Sequence, residues 1–279
     1  MSIPTSETVE PSVELSGNIP LDKRSSFSKR MARNWDIVRE FAIADFRLRY
    51  HDSMLGYSWF LLSPAMMFAV YYFVFTQVMY TGIPNYALYL ILGIICYNFF
   101  QDCTFSAMYS LNAKASIIKK IYFPRYLIVF ASTVTAVFSF IMNLGLVLIF
   151  VFIARGIPPL FWLTPVAFIC LVLFATGVGL LLSALYVRFH DLNQIWNVLV
   201  LAIFWLTPVV YNVQALPEST QIIMFLNPLA RVLMLFRHYT LYDFFEWRFL
   251  AITVASCFAT FAIGLVVYRK YQDSFAEHL

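Results

Sequence analysis

Charged residues are scarce in this sequence, and their scarcity excludes an ordinary soluble domain. Asp, Glu, Lys and Arg make up 12% of the 279 residues, and hydrophobic residues make up 61%. A soluble domain is about a quarter charged and about half apolar. The apolar residues gather into long runs, which is typical of helices that cross a membrane. The composition therefore predicts an all-α integral membrane protein.

Motifs for catalysis, metal binding and nucleotide binding are also missing. The sequence has no G-x-x-x-x-G-K-[ST], no H-E-x-x-H and no paired C-x-x-C, which excludes a P-loop and the common zinc sites. Each cysteine lies in an apolar run, as a small buried hydrophobe would: Cys96, Cys103, Cys170 and Cys257. The histidines are scattered: His51, His190, His238 and His278. We expect no catalytic residue, metal site or cofactor in this chain, and no nucleic-acid partner.

The N-terminal region lacks the apolar stretch of a signal peptide. Residues 1–27 are polar and are predicted to be a disordered cytosolic tail, and 28–279 are predicted to be the transmembrane domain. Residues 29–52 predict an amphipathic helix in the membrane interface, although Asp45 lies near its apolar stripe. That stripe consists of Ile37, Phe41, Ala44 and Leu48. A soluble helix that leads into the first span is the alternative.

Six apolar runs follow, and each is predicted to be a transmembrane helix. They cover residues 55–79, 86–109, 126–154, 160–187, 195–211 and 249–268. A helix needs about 20 residues to cross the hydrocarbon core, so the third and fourth runs are expected to tilt, kink or extend beyond it. The fifth run is slightly short and ends at Thr207-Pro208, where a helix bends or breaks.

In this six-span topology, lysine and arginine are nearly absent from one side of the membrane. With the N-terminus in the cytosol, all but four of the 19 Lys and Arg residues fall in cytosolic segments. The four exceptions are Arg155, Arg231, Arg237 and Arg248. This positive-inside bias predicts that both termini are cytosolic.

The interval 214–248 is rich in apolar residues but has no uninterrupted run long enough to span. Pro217 and Pro228 divide it, and a seventh span would move Arg269 and Lys270 to the outside. We predict two short re-entrant or interfacial helices on the external face, where irregular backbone must be covered by protein or face water. A long amphipathic external loop is the alternative.

Asp102 is the exception to the absence of charge within the spans, and Asn98 and Ser106 share its helical face. A carboxylate in the membrane usually faces a partner or water. Two interpretations are open: a cation or proton site, or a carboxylate near the cytosolic end that pairs with a Lys or Arg. A proton-coupled carrier would normally have more than one such residue, which favours the pairing.

A short basic and amphipathic segment, residues 111–124, separates the second and third spans. A positive-inside loop would explain its charges but not the helical spacing of its apolar residues. These are Ile117, Ile118, Ile121 and Tyr122. The pattern predicts a helix that docks into a cleft on a cytosolic partner.

Several motifs, in order along the chain, resemble those of polysaccharide ABC exporter permeases. Arg49–Trp59, followed by Pro64, is similar to their R-Y-x-x-S-x-L-G-x-x-W…P signature. Ile118–Arg125 reads I-K-K-I-Y-F-P-R and resembles their coupling-helix motif. Arg188–Leu192 resembles their R-x-D-L or R-D-L turn, with Phe and His between Arg and Asp. Further matches lie at 204–211, 227–229 and 275–279.

The resemblance implies a permease of the type-2 ABC exporter fold. Such permeases form homodimers, bind two copies of a cytosolic ATPase subunit that holds ATP and Mg²⁺, and export lipid-linked polysaccharides across the cytoplasmic (inner) membrane. The I-K-K-I-Y-F-P-R and F-W-L-T-P runs look most like the O-antigen branch, and wall teichoic acid and capsular exporters are alternatives. An ion-coupled carrier, or a membrane-embedded transferase with clustered acids or histidines, fits the sequence less well.

The resemblance and the residue chemistry together suggest two sets of functional residues. Contacts with the ATPase are expected from Lys119, Lys120, Ile121, Tyr122, Phe123, Arg188, Asp191, Arg47 and Arg49. A substrate channel is expected beside the first and fifth spans, because sugar faces stack on aromatic rings. Its candidates are Tyr57, Trp59, Tyr72 and Tyr211, followed by Tyr71, Phe204 and Trp205.

The predicted topology can be tested with single cysteine variants. Asp22→Cys and Asp273→Cys should react with a membrane-impermeant maleimide only after cells are permeabilised, because both termini are predicted to be cytosolic. Glu218→Cys should react in sealed cells. Labelling of Asp273→Cys in sealed cells would contradict an even number of spans.

Overall fold

The computed structural model describes residues 27–50, 55–78, 83–120 and 123–272. Ile121, Tyr122, most of the predicted N-terminal tail and the last seven residues lie outside the described residues. The described part of the chain is built from helices, which confirms the all-α class. These are α1 (Phe27–Tyr50), α2 (Trp59–Phe73), α3 (Tyr86–Ala113), α4 (Ala115–Lys120), α5 (Tyr126–Arg155), α6 (Thr164–Tyr186), α7 (Leu192–Leu206), α8 (Glu218–Leu226), α9 (Pro228–Arg237) and α10 (Trp247–Tyr271).

Five described segments are long and apolar enough to cross a membrane. They are Gly56–Gln77, Tyr86–Ala113, Tyr126–Ala154, Phe161–Tyr186 and Trp247–Tyr271. The helix α8 and the segment Pro228–Tyr242, which contains α9, form a further apolar pair bent by 102°. The interval 214–248 therefore contains two short helices, and the described chain has five or six candidate spans.

The fifth predicted span, 195–211, differs from the helix that the structure contains. Helix α7 has 15 residues and ends at Leu206, so at about 1.5 Å per residue it is shorter than the roughly 30 Å hydrocarbon core. Thr207 is extended, with φ −107° and ψ 131°, because the residue before a proline is pushed out of the helical region. We call the non-helical residues Thr207–Tyr211 the broken segment.

Helix α3 lies at the centre of the bundle and packs against α2, α5, α6 and α9. The pair α6 and α10 approaches most closely at two glycines. A Cβ atom on Gly264 would lie 2.1 Å from the Gly177 carbonyl oxygen, and one on Gly177 would lie 2.6 Å from the Phe261 Cα. Small residues of this kind let membrane helices touch backbone to backbone.

Helix α1 packs against α5 with a face that only partly overlaps the predicted stripe: Ile37 and Phe41 pack against α5, whereas Ala44 is exposed. Val38 and Ala42 are the buried residues, whereas Leu48 is 79% exposed. Asp45 also faces the bundle, because its carboxylate lies 2.7 Å from the Lys114 ammonium just after the end of α3.

The backbone carbonyls of the broken segment lack helical N–H partners. Side chains from α3 and α9 donate hydrogen bonds to them instead. The Tyr86 hydroxyl donates to the Val210 carbonyl at 2.9 Å, and the Tyr89 hydroxyl donates to the Tyr211 carbonyl at 2.5 Å. Asn227, the residue between α8 and α9, donates from its amide to the Thr207 hydroxyl at 3.0 Å. Because hydrocarbon offers no alternative partners, these internal donors allow irregular backbone inside an apolar bundle.

Arg237 supplies the remaining donors, and its side chain is 0% exposed. Its Nη1 donates to the Pro208 carbonyl at 2.6 Å, and its Nη2 donates to the carbonyls of Tyr89 and Val209 at 3.0 and 2.9 Å. The guanidinium carbon lies 3.3 Å from the centroid of the Tyr89 ring. A Cβ at position 93 would lie 2.8 Å from Arg237 Nη2, so Gly93 provides the space. We call this arrangement the Arg237 clamp.

Loss of the clamp should destabilise the folded protein. Arg237→Met removes the donors to the buried carbonyls of Pro208 and Val209, and each buried group left unsatisfied costs about 1–3 kcal/mol. We expect the purified protein in detergent to unfold at a clearly lower temperature or denaturant concentration, by a few kcal/mol in total. Arg237→Lys should recover only part of this loss, because an ammonium lacks the planar fork.

Arg248 provides the control for this experiment because it is an exposed arginine near the start of α10. Arg248→Met should unfold like the wild type. Equal stability of the Arg237→Met variant and the wild type would show that the clamp does not hold the broken segment.

Candidate functional site

Basic side chains collect at one end of the bundle, which we call the basic end. It contains α4, the turn between α6 and α7 (residues 187–191) and the C-terminus of α10. The Asn112 amide lies 3.3 Å from the His190 ring nitrogen, which joins α3 to the turn. The Arg125 guanidinium donates to the Gln272 carbonyl, which joins the start of α5 to the end of α10.

The residues predicted to contact an ATPase lie at this end where the structure describes them. Lys119 and Lys120 are exposed on α4, and Arg188 and Asp191 are exposed on the turn. Arg47 is exposed near the end of α1, and Arg49 belongs to the same helix. Ile121 and Tyr122 lie outside the described residues.

Phe123 has a different environment from the two lysines. Its ring is half-buried and lies 5.8 Å from the ring of Phe41 on α1. The Lys114 ammonium lies 5.4 Å from the same Phe41 ring. Phe123 therefore anchors the segment that follows α4 to α1, whereas Ile117 on α4 is exposed and is free to meet a partner.

The aromatic residues predicted to line a channel do not form one surface. At the start of the first span, the Tyr57 ring stacks on Phe46 of α1 with centroids 5.3 Å apart. Trp59 is partly exposed and borders a polar cavity. The two rings therefore lie on different sides of the helix.

Further along α2, Tyr72 stacks on Phe68 and Tyr86, with centroids 5.4 and 6.2 Å away, and remains partly exposed. Tyr71 is half-buried, and its ring lies 5.6 Å from that of Phe204. Because the structure places these two neighbouring rings in different surroundings, only Tyr72 of the pair presents an open ring edge.

On the fifth span the candidates divide into buried and exposed rings. Phe204 is 6% exposed and packs edge-on against Tyr97 at 4.9 Å, and Trp196 is also buried. Both rings belong to the hydrophobic core of this chain. Trp205 is exposed, and the Tyr211 hydroxyl donates to the Trp205 carbonyl at 2.6 Å.

A polar cavity of about 380 Å³ lies between α2, α3 and α5. Asp102 lines it together with Asn98, so this carboxylate faces a cavity. The other lining residues are Trp59, Ser63, Pro64, Met67, Ile95, Phe99, Gln101, Ala136, Ser139, Phe140 and Asn143. The serines, Gln101 and Asn143 were not predicted, although the spacing of Ser139 and Asn143, four residues apart on one helical face, could have indicated them.

Arg237 is a second residue whose importance the sequence analysis missed. It was counted as one of four external cations, whereas the structure buries it against backbone carbonyls. Apolar residues on both sides of it, from Val232 to Phe236 and from Tyr239 to Leu241, are also buried. A lone arginine inside such a run could have indicated an internal partner.

Comparison with known proteins connects this architecture to a transporter family. Residues 38–241 match the family described as ABC-2 type transporter. The O-antigen export system permease protein RfbA of Klebsiella pneumoniae is 30% identical over 247 residues, which cover 88% of this chain and 95% of that protein. The protein of the same name from Myxococcus xanthus is 24% identical over 244 residues, which cover 84% and 92% of the two chains. The chain therefore belongs to the ABC-2 type transporter family.

Proposed function

We propose that this chain is the permease subunit of an ATP-driven exporter that moves a lipid-linked polysaccharide, O antigen, across the cytoplasmic membrane. The observation that supports it most directly is the similarity to O-antigen export permeases over 95% of the length of one relative. The bundle of apolar helices with an exposed basic end fits a subunit that crosses the membrane and receives its energy from a partner.

The assembly that we propose contains two copies of this chain and two copies of a cytosolic ATPase, which binds ATP and Mg²⁺. The exposure of α2 in the single chain supports a homodimer: Met66, Val70 and Phe73 are all more than half exposed. Both termini lie in the cytosol, in agreement with the distribution of Lys and Arg. The basic end then faces the ATPase.

Coupling takes place through α4 and the turn between α6 and α7. Ile117, Lys119 and Lys120 are exposed on α4, while Ile118 packs against the bundle. Ile121, Tyr122 and Phe123 continue the same segment, and Arg188, Asp191, Arg47 and Arg49 flank it. Apolar contact supplies most of the binding energy, because exposed ion pairs contribute little.

Replacement of Ile117 tests this coupling surface. Ile117→Asp places a carboxylate in the contact, and its desolvation without a partner costs a few kcal/mol. We expect the amount of ATPase that copurifies with the permease to fall about tenfold or more, since tenfold corresponds to roughly 1.4 kcal/mol. Export should fall in parallel.

Ile157 provides a matched control. It is an exposed isoleucine that follows the end of α5 opposite to the basic end. Ile157→Asp should retain both the ATPase and export. If Ile117→Asp binds the ATPase as tightly as the wild type, α4 is not the docking element.

The conduit for the glycan is the second part of the proposal. Hydroxyl groups cannot be left unsatisfied in hydrocarbon, so the path must be wet, and sugar faces can stack on its aromatic rings. The partly exposed rings of Tyr57, Trp59 and Tyr72 on the first span remain candidates. Tyr211 and Trp205 remain candidates at the end of α7, and Tyr71 is a weaker one.

Tyr72 allows the ring to be tested apart from the hydroxyl. Tyr72→Ala removes the stacking surface, which contributes about 0.5–1.5 kcal/mol, and should reduce export about two- to tenfold without loss of the ATPase. Tyr72→Phe should export normally. Trp247→Ala, which removes an exposed ring at the start of α10, serves as the control; normal export by Tyr72→Ala would exclude this ring from the conduit.

A further inference from the structure

The cavity between α2, α3 and α5 has a polar lining, although it lies among membrane-spanning helices. Its walls belong to three segments that are long and apolar enough to cross a membrane, yet α3 contributes Asn98, Gln101 and Asp102 to it. Polar and ionisable groups within spans are costly and usually mark a pathway or a binding site. Its volume of about 380 Å³ lies within the range of roughly 300–1,000 Å³ of small-molecule sites.

Ser139 indicates that the cavity is built for a polar occupant. Its side chain is 6% exposed, and its Oγ is buried and has no hydrogen-bond partner among the described residues. The neighbouring Asn143 amide donates to the Ser139 backbone carbonyl at 2.9 Å and does not satisfy the hydroxyl. Leaving a buried hydroxyl unpaired costs about 1–3 kcal/mol, which a ligand with hydroxyl groups would recover.

The chemistry of the lining restricts the class of occupant. Carboxamides and hydroxyls both donate and accept hydrogen bonds, and the carboxylate of Asp102 accepts them, which matches the hydroxyl groups of a sugar. The indole of Trp59 on the same wall offers a face for the apolar side of a sugar ring. A hydrocarbon chain would leave these groups unsatisfied, and it fits better into the neighbouring apolar cavity lined by Leu61, Ala65 and Phe68.

The charge of the cavity lining restricts the class of occupant further. Among the residues that line the cavity, all of which the structure describes, Asp102 is the one with a formal charge. A carboxylate repels a nearby anion even where solvent weakens the interaction. A sugar that carries phosphate or carboxylate therefore fits this lining less well than a neutral sugar, and a single carboxylate among neutral amides does not form a cation site.

We propose that this cavity binds an uncharged sugar residue of the exported glycan. The inference rests on the proposed function, because the sugar is part of the polymer that the permease moves. It assigns a neutral rather than a phosphate-bearing polymer to the exporter. Asn98, Gln101, Asp102 and Ser139 hold the hydroxyl groups, and Trp59 stacks on the ring.

Photo-crosslinking in cells tests the cavity directly. p-Benzoyl-phenylalanine is introduced in place of Ser63, which lines the polar cavity, or of Ala65, which lies two residues away on α2 and lines the apolar cavity. After irradiation, the full-length chain is purified with its ATPase, stained for carbohydrate and analysed by mass spectrometry. We expect a glycan adduct at position 63 and none at position 65, with a neutral sugar at the site of attachment.

Export by two cavity-filling variants provides a second measurement. Ser63→Leu should reduce export about fivefold or more, because it replaces a polar wall by a bulky apolar one. Ala65→Leu should reduce export less than about twofold, since the apolar cavity accepts an apolar side chain. Copurification of the ATPase and the unfolding temperature show that each variant is folded.

The possible results separate this inference from the proposed function. If cells with the wild-type chain export no glycan, the proposed function fails and the inference fails with it. If export is normal but position 63 yields no glycan adduct, or yields a lipid adduct, the cavity inference alone is wrong. A phosphate-bearing sugar attached at position 63 would overturn the assignment of a neutral polymer.

Discussion

The contact between Arg237 and the broken segment determines how the second half of the bundle is arranged. Pro208 ends α7 before the helix is long enough to cross the hydrocarbon core, and the carbonyls that follow need donors in a region without water. Arg237 provides donors to the carbonyls of Pro208 and Val209. A guanidinium is suited to this task because it presents several N–H groups in a fixed plane.

The same contact joins the bent pair α8 and α9 to the rest of the bundle. Arg237 lies at the end of α9, and it also donates to the Tyr89 carbonyl on α3. One buried side chain therefore joins the central helix, the end of α7 and the short helices that follow it. The bend of 102° lies at Asn227, which is extended because Pro228 follows it, and it brings Arg237 at the end of α9 to these carbonyls.

The sequence predicts the parts of the fold that depend on local composition. The predicted third span, 126–154, matches α5 at Tyr126–Arg155 within one residue, because apolar runs bounded by charges set both ends. The ion pair between Asp45 and Lys114 was not predictable in this way, since it joins residues 69 positions apart. The burial of Arg237 and Phe204 was not predicted for the same reason: long-range contacts decide whether such side chains are buried.

In the candidate site too, features set by local sequence were predicted, and features set by long-range contacts were not. The basic segment after α3 is readable from sequence because its charges and apolar residues are adjacent, and the structure places Lys119 and Lys120 on an exposed helix. The aromatic candidates were chosen by helix and residue type, and helical geometry alone does not say which rings face inward. The burial of Phe204 and the stacking of Tyr57 on Phe46 depend on neighbouring helices.

Two groups of polar side chains within the bundle have opposite properties, and the contrast separates structure from function. The two Nη groups of Arg237 donate to backbone carbonyls, and the side chain has no exposed surface, so a ligand cannot reach it. Around Asp102, polar groups from three helices instead border a cavity, and the Ser139 hydroxyl within it has no partner among the described residues. Because polar groups in a membrane protein are retained only where they are satisfied or used, the first group holds the fold together and the second is available for a ligand.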